Sequence, residues 1–414
     1  MFLGQSFKRF FKNHHAISNI IIVFLLVLTT LGGSIPMWLN SYFWTSTKLN
    51  SADTISTIGT SESGSIKTMA ICYSPNMTQP DMQRFVADNF DLVLIKFSWA
   101  EAGRNIKKMN PDVTLIGYTD LMLMGTQNPY WKQVNTNENW FYHDIFGRRL
   151  LHNYYNTYAL NITSAWKDYF LYICNNYIDT YPFFDGILAD DAWEYFQRDC
   201  WTVPPSYIPN SIYKNWETDM KNMLTNAKNN IDCVVIQNAY NSKYAEITGY
   251  IVWECFIHSL YHSVNDRWWT SEITLENLNY LQKMSKQGYT CIVTSGTDLP
   301  SNPSTYELKK AHDWMLYSLC CFLLIIDNFE KNYFGWNQID ASDGDGYYKE
   351  MDYNHGKALN DYYKIKGEVY RRDFKNSSVV VNISDNSNYT VNINGKIYEL
   401  NPKQGLIIPK NKSK

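Results

Sequence analysis

The 414-residue sequence has no concentrated stripe of basic residues beyond its first few positions, and its formal net charge is −3. Proteins that bind nucleic acid usually carry a basic face that neutralises phosphates, so this absence argues against a nucleic-acid partner. The eight cysteines form no CxxC pair and no Cys/His spacing typical of zinc sites. The acidic segment 340–346 lacks the order of ligands and glycine of an EF-hand loop. The sequence therefore predicts neither a bound metal nor a cofactor.

Aromatic residues, in contrast, are abundant, with 14 Trp, 32 Tyr and 20 Phe. Flat aromatic faces pack against the apolar C–H face of a pyranose ring as well as against other core residues. The chain is long enough for one large globular domain and a small appendage. This composition permits a sugar-binding protein.

The segment 16–39 is almost uncharged, and it follows basic residues that include Lys8 and Arg9. About twenty apolar residues can span a bilayer, and a basic flank favours keeping that end in the cytoplasm. We therefore expect a single-pass anchor in the cell membrane, with the main domain extracellular. A cleaved signal peptide is the alternative, with residues 32–34 as its cleavage site, but its apolar core would usually be shorter. The Ser- and Thr-rich segment 45–65 is typical of a solvated linker.

Short apolar runs alternate with helical patterns from residue 66 onward, which is typical of repeated βα units. Eight runs are predicted to be strands: Thr68–Tyr73, Leu92–Phe97, Thr114–Tyr118, Phe184–Ala189, Val234–Gln237, Tyr250–Trp253, Thr290–Thr294 and Phe322–Ile326. Eight such units, within a span close to the roughly 250 residues usual for the fold, predict a (β/α)8 TIM barrel. An open doubly wound sheet is the alternative, but it usually has a Gly-rich phosphate turn after its first strand. The segment 73–76 is not such a turn.

The pattern changes to short β-rich runs from about Gly367, and Asn394-Gly395 between two of them is a strong hairpin signal. These runs predict a small antiparallel β module. The predicted organisation is a cytoplasmic stub and transmembrane anchor at 1–44, a linker at 45–65, a (β/α)8 catalytic barrel at 66–350 and a C-terminal β module at 351–414.

Carboxylates stand at the ends of two predicted strands. One strand leads into Asp190 and Asp191, and another leads into Glu254. Active sites of TIM barrels lie at the C-terminal ends of the strands, so these three acids are the candidate catalytic residues. Because adjacent strand residues point to opposite faces, only one of Asp190 and Asp191 is expected to face the cleft. The alternative is that one of them caps the next helix.

Glu254 follows the apolar run Tyr250–Trp253. Burial of a carboxyl group in apolar surroundings raises its pKa toward that of a usable general acid. An ionised and a protonated carboxyl group on either side of a bond can hydrolyse a glycoside, and we expect Glu254 to donate the proton. The alternative is a buried structural ion pair of Glu254 with a lysine or arginine, for which Lys96 is a candidate partner.

Other residues near strand ends are expected to line the cleft and bind substrate: Tyr73, Trp99, Tyr118, Asp120, Trp193, Gln237, Asn238, Tyr240, His258 and Asp327. Their aromatic faces and polar groups suit sugar rings and hydroxyls. The long aromatic connection 119–161 is predicted to form a lid or wall over the barrel mouth, or a packed excursion at its side.

Several motifs occur in an order that resembles a known family. They are Asp185-Gly186-x-x-x-Asp190, Ile236-Gln237-Asn238, the strand ending in Glu254, Trp140–Asp144, Tyr370–Phe374 and Val379–Asn382. In this order they resemble glycoside hydrolases related to endo-α-1,4-polygalactosaminidases and the group called hypothetical glycosyl hydrolase family 15. The resemblance implies that Asp190 is the strand-four carboxylate, acting as nucleophile or base, and that Glu254 is the acid. The chain departs from the simplest pattern at Ala189 and Asp191, which leaves the choice between the two aspartates open.

The predicted function is that of a membrane-anchored extracellular glycoside hydrolase, which cleaves a polysaccharide with two carboxyl groups. Its expected partners are a polysaccharide or oligosaccharide substrate and a lipid bilayer, the latter through residues 16–39. The alternative is a catalytically inactive barrel that binds surface glycan or serves as a structural component of the envelope. Fold alone does not separate the two functions.

Overall fold

The structure is a computed structural model that describes residues 64–239, 242–258, 268–300, 302–338 and 346–410. The predicted anchor at 16–39, nearly all of the predicted linker, and Tyr240 lie outside these ranges. Within them, no helix combines the length and the apolar character needed to cross a membrane.

Strands and helices alternate along the first part of the described chain, and strands alone follow at its end. In chain order, the strands are β1 (Lys67–Cys72), β2 (Leu92–Lys96), β3 (Thr114–Asp120), β4 (Leu123–Gly125), β5 (Thr157–Ala159), β6 (Gly186–Asp190), β7 (Val234–Gln237), β8 (Tyr250–Trp253), β9 (Thr290–Ser295), β10 (Tyr333–Gln338), β11 (Tyr363–Lys366), β12 (Val369–Asp373), β13 (Ser377–Asn382), β14 (Tyr389–Ile393), β15 (Lys396–Leu400) and β16 (Gln404–Pro409). The α-helices are α1 (Pro80–Asn89), α2 (Ala100–Met109), α3 (Trp131–Val134), α4 (Trp166–Thr180), α5 (Asn210–Asn230), α6 (Ser242–Thr248), α7 (Ser271–Lys286) and α8 (Thr305–Ile325).

Eight parallel strands form one sheet in the order β7-β6-β3-β2-β1-β10-β9-β8. Because β10 pairs with β1, the sheet curls round into a barrel. Among the described residues, ladders join all neighbouring strands except β7 and β8. The seam between these two strands is bridged by the Val252 N–H, which donates to the Ala239 carbonyl at 3.3 Å, and by the Gln237 side-chain amide, which donates to the Tyr250 carbonyl at 2.6 Å. The predicted TIM barrel is thus confirmed in a nearly closed form.

Side chains of the barrel strands alternate between the barrel interior and the helix layer. One buried inner cluster takes residues from all eight strands: Met69, Ile71, Leu92, Leu94, Ile116, Leu188, Ile236, Val252, Ile292 and Tyr333. Residues between them, such as Ala70 and Val93, belong to a second buried cluster that includes helix residues. Since the period of a strand is two, Asp190 follows Leu188 on the inner face and Glu254 follows Val252. The alternation therefore places both acids at the C-terminal mouth of the barrel.

The prediction of the eighth strand was wrong. Most of the predicted strand Phe322–Ile326 is the last turn of α8, and β10 at Tyr333–Gln338 closes the barrel instead. Helix α8 packs against barrel strands and also against β13 and β16, so every residue from 317 to 325 is buried. A helix that is buried on all sides has no polar face, and its apolar run cannot be told from a buried strand by periodicity.

The C-terminal strands form the predicted antiparallel module. Its main sheet has the order β11-β12-β13-β16, and β14 and β15 form a separate hairpin. The turn of this hairpin is Asn394-Gly395, and both residues have positive φ angles, 53° and 85°. Arg372 of β12 is only 1% exposed and donates hydrogen bonds to the carbonyl oxygens of Leu324 and Ile326 at the end of α8. The module is therefore joined to the barrel through a buried guanidinium group.

Candidate active site

A cavity of about 590 Å³ opens at the C-terminal ends of the barrel strands. We call it the catalytic cavity. The strand ends contribute mostly polar residues to its lining: Tyr73, Lys96, Tyr118, Asp120, Asp190, Asp191, Asn238 and Glu254. The position agrees with the usual place of the active site in a TIM barrel.

Three aspartates lie close together in the catalytic cavity. Carboxylate oxygens of Asp120, Asp190 and Asp191 all lie within 4.8 Å of one another. The expectation that only one of the two adjacent aspartates would face the cleft is therefore wrong. Strand β6 ends at Asp190, and Asp191 has a φ angle of 58°, which interrupts the alternation of side chains. A left-handed backbone is uncommon outside glycine, and such residues cluster at functional sites.

Asn238 connects Asp190 to Glu254. Its side-chain amide donates a hydrogen bond of 2.7 Å to Oδ1 of Asp190, and the same oxygen accepts from the backbone N–H of Asp191 at 2.9 Å. Asn238 also makes a side-chain hydrogen bond with Glu254. One side-chain amide group therefore contacts both carboxyl groups.

Glu254 is suited to donate a proton near neutral pH. Burial, and after it the negative charge of Asp190, raises the pKa of Glu254 to about 7, while the hydrogen bond from Asn238 opposes the rise. The alternative ion pair with Lys96 does not occur among the described residues. The Lys96 ammonium instead lies 5.5 Å from the ring centroid of Tyr73 and 5.3 Å from that of Trp99. A carboxyl group that stays protonated at pH 7 can act as a general acid.

Asp120 and Asp191 form a second pair of acids beside Asp190. Burial and the charge of Asp190 raise the pKa of Asp120 to about 6, although Tyr118 donates a hydrogen bond of 2.7 Å to Asp120 and opposes this rise. Burial and the charges of its two neighbours raise the pKa of Asp191, which also hydrogen-bonds to Asp120. The Trp193 indole N–H donates to Asp191 at 3.0 Å. Both shifts have the direction expected when carboxyl groups crowd together and cannot all ionise.

Aromatic residues from two segments form the rim of the catalytic cavity. Tyr154 and Tyr155 belong to the long connection between β3 and β6, and they are 78% and 53% exposed. His152 holds them, because its Nδ1 accepts hydrogen bonds of 3.2 Å from both of their backbone N–H groups. Trp193 and Tyr195 from the loop after β6 complete this rim, and Tyr195 is 67% exposed. The long aromatic connection therefore lines part of the cavity, as a wall would.

The sequence model of hypothetical glycosyl hydrolase family 15 matches residues 107–378, which is more than half of the chain. The match includes Asp120, Asp190, Asp191, Asn238 and Glu254. The chain belongs to this family. The family is one of glycosyl hydrolases by its description, so its members are classed as enzymes that hydrolyse glycosidic bonds.

Several solved structures are similar to this chain. One is a noncanonic maltogenic alpha-amylase from Thermotoga neapolitana, with 10% identity and a TM-score of 0.48. The similarity covers 83% of this chain and 96% of the amylase chain. Another is Aspergillus fumigatus Ega3 in complex with galactosamine, with 11% identity, a TM-score of 0.39, and coverage of 68% and 95%. A third is a Flavobacterium johnsoniae dextranase complexed with glucose, with 10% identity, a TM-score of 0.48, and coverage of 84% and 50%. No curated protein matches the chain in sequence.

The structure brings most of the predicted site residues together in the catalytic cavity and places others outside it. The predicted residues that line the catalytic cavity are Tyr73, Tyr118, Asp120, Asp190, Asp191, Trp193, Asn238 and Glu254. Trp99 contacts the Lys96 ammonium but is not a lining residue, and Tyr240 lies outside the described residues.

Gln237 and His258 are buried and do not line the catalytic cavity. Gln237 has no exposed surface, because its amide oxygen accepts a hydrogen bond from the Thr248 hydroxyl and its amide nitrogen donates to Tyr250. The glutamine therefore closes the seam between β7 and β8. His258 is 1% exposed, and its Nδ1 hydrogen-bonds to the Gly296 carbonyl at 2.8 Å. Both residues were predicted to bind substrate because they lie near strand ends, but their side chains are buried and form hydrogen bonds outside the cavity.

Asp327 was placed in the cleft because the eighth strand was assigned to the wrong segment. It follows α8 and precedes β10, so it lies at the N-terminal ends of the strands, away from the catalytic cavity. There it forms an ion pair with the buried Arg372. Lys96, in contrast, lines the catalytic cavity, although the sequence suggested it only as an ion-pair partner of Glu254. The two-residue spacing of Leu92, Leu94 and Lys96 could have indicated that it faces the barrel interior.

Proposed function

We propose that this protein is a membrane-anchored, extracellular glycoside hydrolase that cleaves a polysaccharide, with Glu254 as general acid and Asp190 as nucleophile. The observation that carries the proposal is the contact of one amide group, that of Asn238, with both carboxyl groups inside one cavity. Glu254, with its pKa raised to about 7, protonates the leaving oxygen. Asp190 attacks the anomeric carbon from the other side.

The shared amide group also supports a retaining mechanism. Asn238 contacts both carboxyl groups, with a hydrogen bond of 2.7 Å to Asp190, so the two groups lie close together. Carboxyl groups separated by about 5 to 5.5 Å are typical of retaining glycosidases, whereas inverting enzymes need room for a water molecule between them. In the first step the glycosidic bond breaks, a bond forms between Asp190 and the sugar, and the proton of Glu254 goes to the leaving oxygen. In the second step Glu254 takes a proton from water, which displaces Asp190.

Asp191 is the less suitable nucleophile. Its pKa is raised, and its carboxyl group is engaged by the Trp193 indole N–H and by Asp120. A protonated carboxyl group is a poor nucleophile because its lone pairs are less available. We therefore assign the attack to Asp190.

The test begins with a screen of the full chain against a panel of polysaccharides that includes amino-sugar polymers. On the polysaccharide that is cleaved, Glu254→Gln and Asp190→Asn should each lower kcat by about 10² to 10⁴, and Asp191→Asn should lower it less. Proton NMR of the first product should show the anomeric configuration of the substrate. Near-normal turnover in Glu254→Gln would refute the assignment of the acid. An inactive Asp191→Asn beside an active Asp190→Asn would move the nucleophile by one residue.

The proposed location depends on residues 16–39 and their basic flank, which includes Lys8, Arg9 and Lys12. A bilayer-spanning segment with this flank places the barrel outside the cell. Protease treatment of intact cells should then remove the barrel. A barrel that is digested only after lysis would contradict this orientation.

A further inference from the structure

A second depression adjoins the catalytic cavity. It has a volume of about 410 Å³ and is lined by Tyr195, Phe196, Arg198, Asp199 and Tyr213. Four of these residues belong to the loop after β6, and Tyr213 belongs to α5. Tyr195 lines the depression and the catalytic cavity alike. The two spaces therefore share one tyrosine side chain.

The depression combines an aromatic floor with charged edges. Phe196 is 2% exposed, and the Arg198 guanidinium lies 4.5 Å above the ring centroid of Tyr213. Arg198 and Asp199 are both exposed. Among the residues that the structure describes, neither of the two forms an ion pair or a side-chain hydrogen bond. A donor and an acceptor without hydrogen-bond partners, beside the exposed ring of Tyr195, match a sugar unit, whose hydroxyl groups donate and accept and whose C–H face is apolar.

We propose that this depression is a distal glycan-binding subsite, which holds the sugar units of a polysaccharide that continue from the catalytic cavity across Tyr195. The inference rests on the proposed function and extends it, because it identifies an extended polymer as the preferred substrate. The chain would pass over the Tyr195 ring, which is 67% exposed. Binding energy from such remote units can raise kcat/KM by stabilising the reactive position of the bond at the carboxyl groups.

The test compares Arg198→Ala with the wild-type full chain on the polysaccharide found in the screen and on short oligosaccharides made from it. Loss of a hydrogen bond to a charged group should lower kcat/KM on the polymer about tenfold. The loss should shrink as the substrate becomes too short to reach the depression. Arg104→Ala is the matched control, because the Arg104 guanidinium also lies over an aromatic ring, 5.3 Å from that of Phe183, but lines neither space.

Binding gives a second measurement that does not need turnover. Affinity electrophoresis of Glu254→Gln in gels that contain each polysaccharide should show retardation, and the added Arg198→Ala change should weaken it. Asp199→Ala serves in the same comparison if Arg198→Ala fails to fold. Equal losses on long and short substrates, or no difference from the Arg104→Ala control, would overturn the distal subsite while leaving the proposed function intact. Normal turnover in Glu254→Gln would instead contradict the proposed function.

Discussion

Replacement of the proposed acid should make the protein more stable at neutral and alkaline pH. The pKa of Glu254 rises from 4.5 to about 7 on folding, mainly because the carboxyl group is buried and then because Asp190 is near. Between these two pH values the folded chain holds a proton that the unfolded chain has released. The free energy of unfolding therefore falls as pH rises through this window. At 1.36 kcal/mol for each pKa unit, the contribution of Glu254 falls by about 3 kcal/mol.

Glu254→Gln removes this titration and preserves the size and the hydrogen bonding of the side chain. Wild type and variant should have similar stability at pH 4.5, and by pH 8 the variant should be more stable by about 3 kcal/mol. For a folded unit of this size, the difference corresponds to a rise in Tm of about 4 °C. The assay is thermal unfolding of the full chain at several pH values, monitored by circular dichroism.

The difference between the two curves reports Glu254 and its interaction with Asp190, because Asp120 and Asp191 are present in both proteins. Glu246→Gln is a suitable control, since Glu246 is exposed on α6 and lines neither space. Its curve should run parallel to that of the wild type. Parallel curves for Glu254→Gln and wild type would refute the argument that burial and Asp190 raise the pKa of this acid.

Three further predictions follow from contacts of the site and the fold. Asn238→Ala removes the hydrogen bond that lowers the pKa of Glu254, so the alkaline limb of the pH–rate profile should move above its wild-type position near pH 7. The variant should also have a lower kcat, and an unmoved alkaline limb would contradict the contact between Asn238 and Glu254. Arg372→Met should lower the free energy of unfolding, measured in urea, by about 3 to 5 kcal/mol, because it leaves buried carbonyl groups and Asp327 without their partner. A change below about 1 kcal/mol would show that these contacts of Arg372 contribute little to stability. A chelator such as EDTA should leave turnover unchanged, because N–H and O–H groups already bind the clustered carboxyl groups; activity restored only by a divalent cation would show otherwise.

The barrel and the main acids could be predicted from the sequence because both depend on local patterns. Apolar runs of strand length, with helical patterns between several of them, predicted seven of the eight barrel strands within a few residues. The period of two along Leu188 and Asp190, and along Val252 and Glu254, then placed the acids at the mouth. These inferences need only the geometry of a strand.

Other features depend on contacts between distant segments, and the sequence did not predict them. The run Phe322–Ile326 is apolar because the C-terminal module covers α8, and this cover is not visible in a local pattern. Asp191 faces the cavity because of one positive φ angle. Gln237 forms a hydrogen bond across the seam between β7 and β8, and the position of this seam cannot be inferred from a local pattern.

The seam between β7 and β8 separates the strands that carry the two halves of the site. Glu254 follows β8, while Asp190 and Asn238 lie on the other side. A continuous ladder of hydrogen bonds would fix the distance between these two strands. Here individual hydrogen bonds made by Gln237, Val252 and Asn238 bridge them instead. The barrel therefore has one junction at which the relative position of the two acids depends on a few hydrogen bonds and on α6, which packs against both strands.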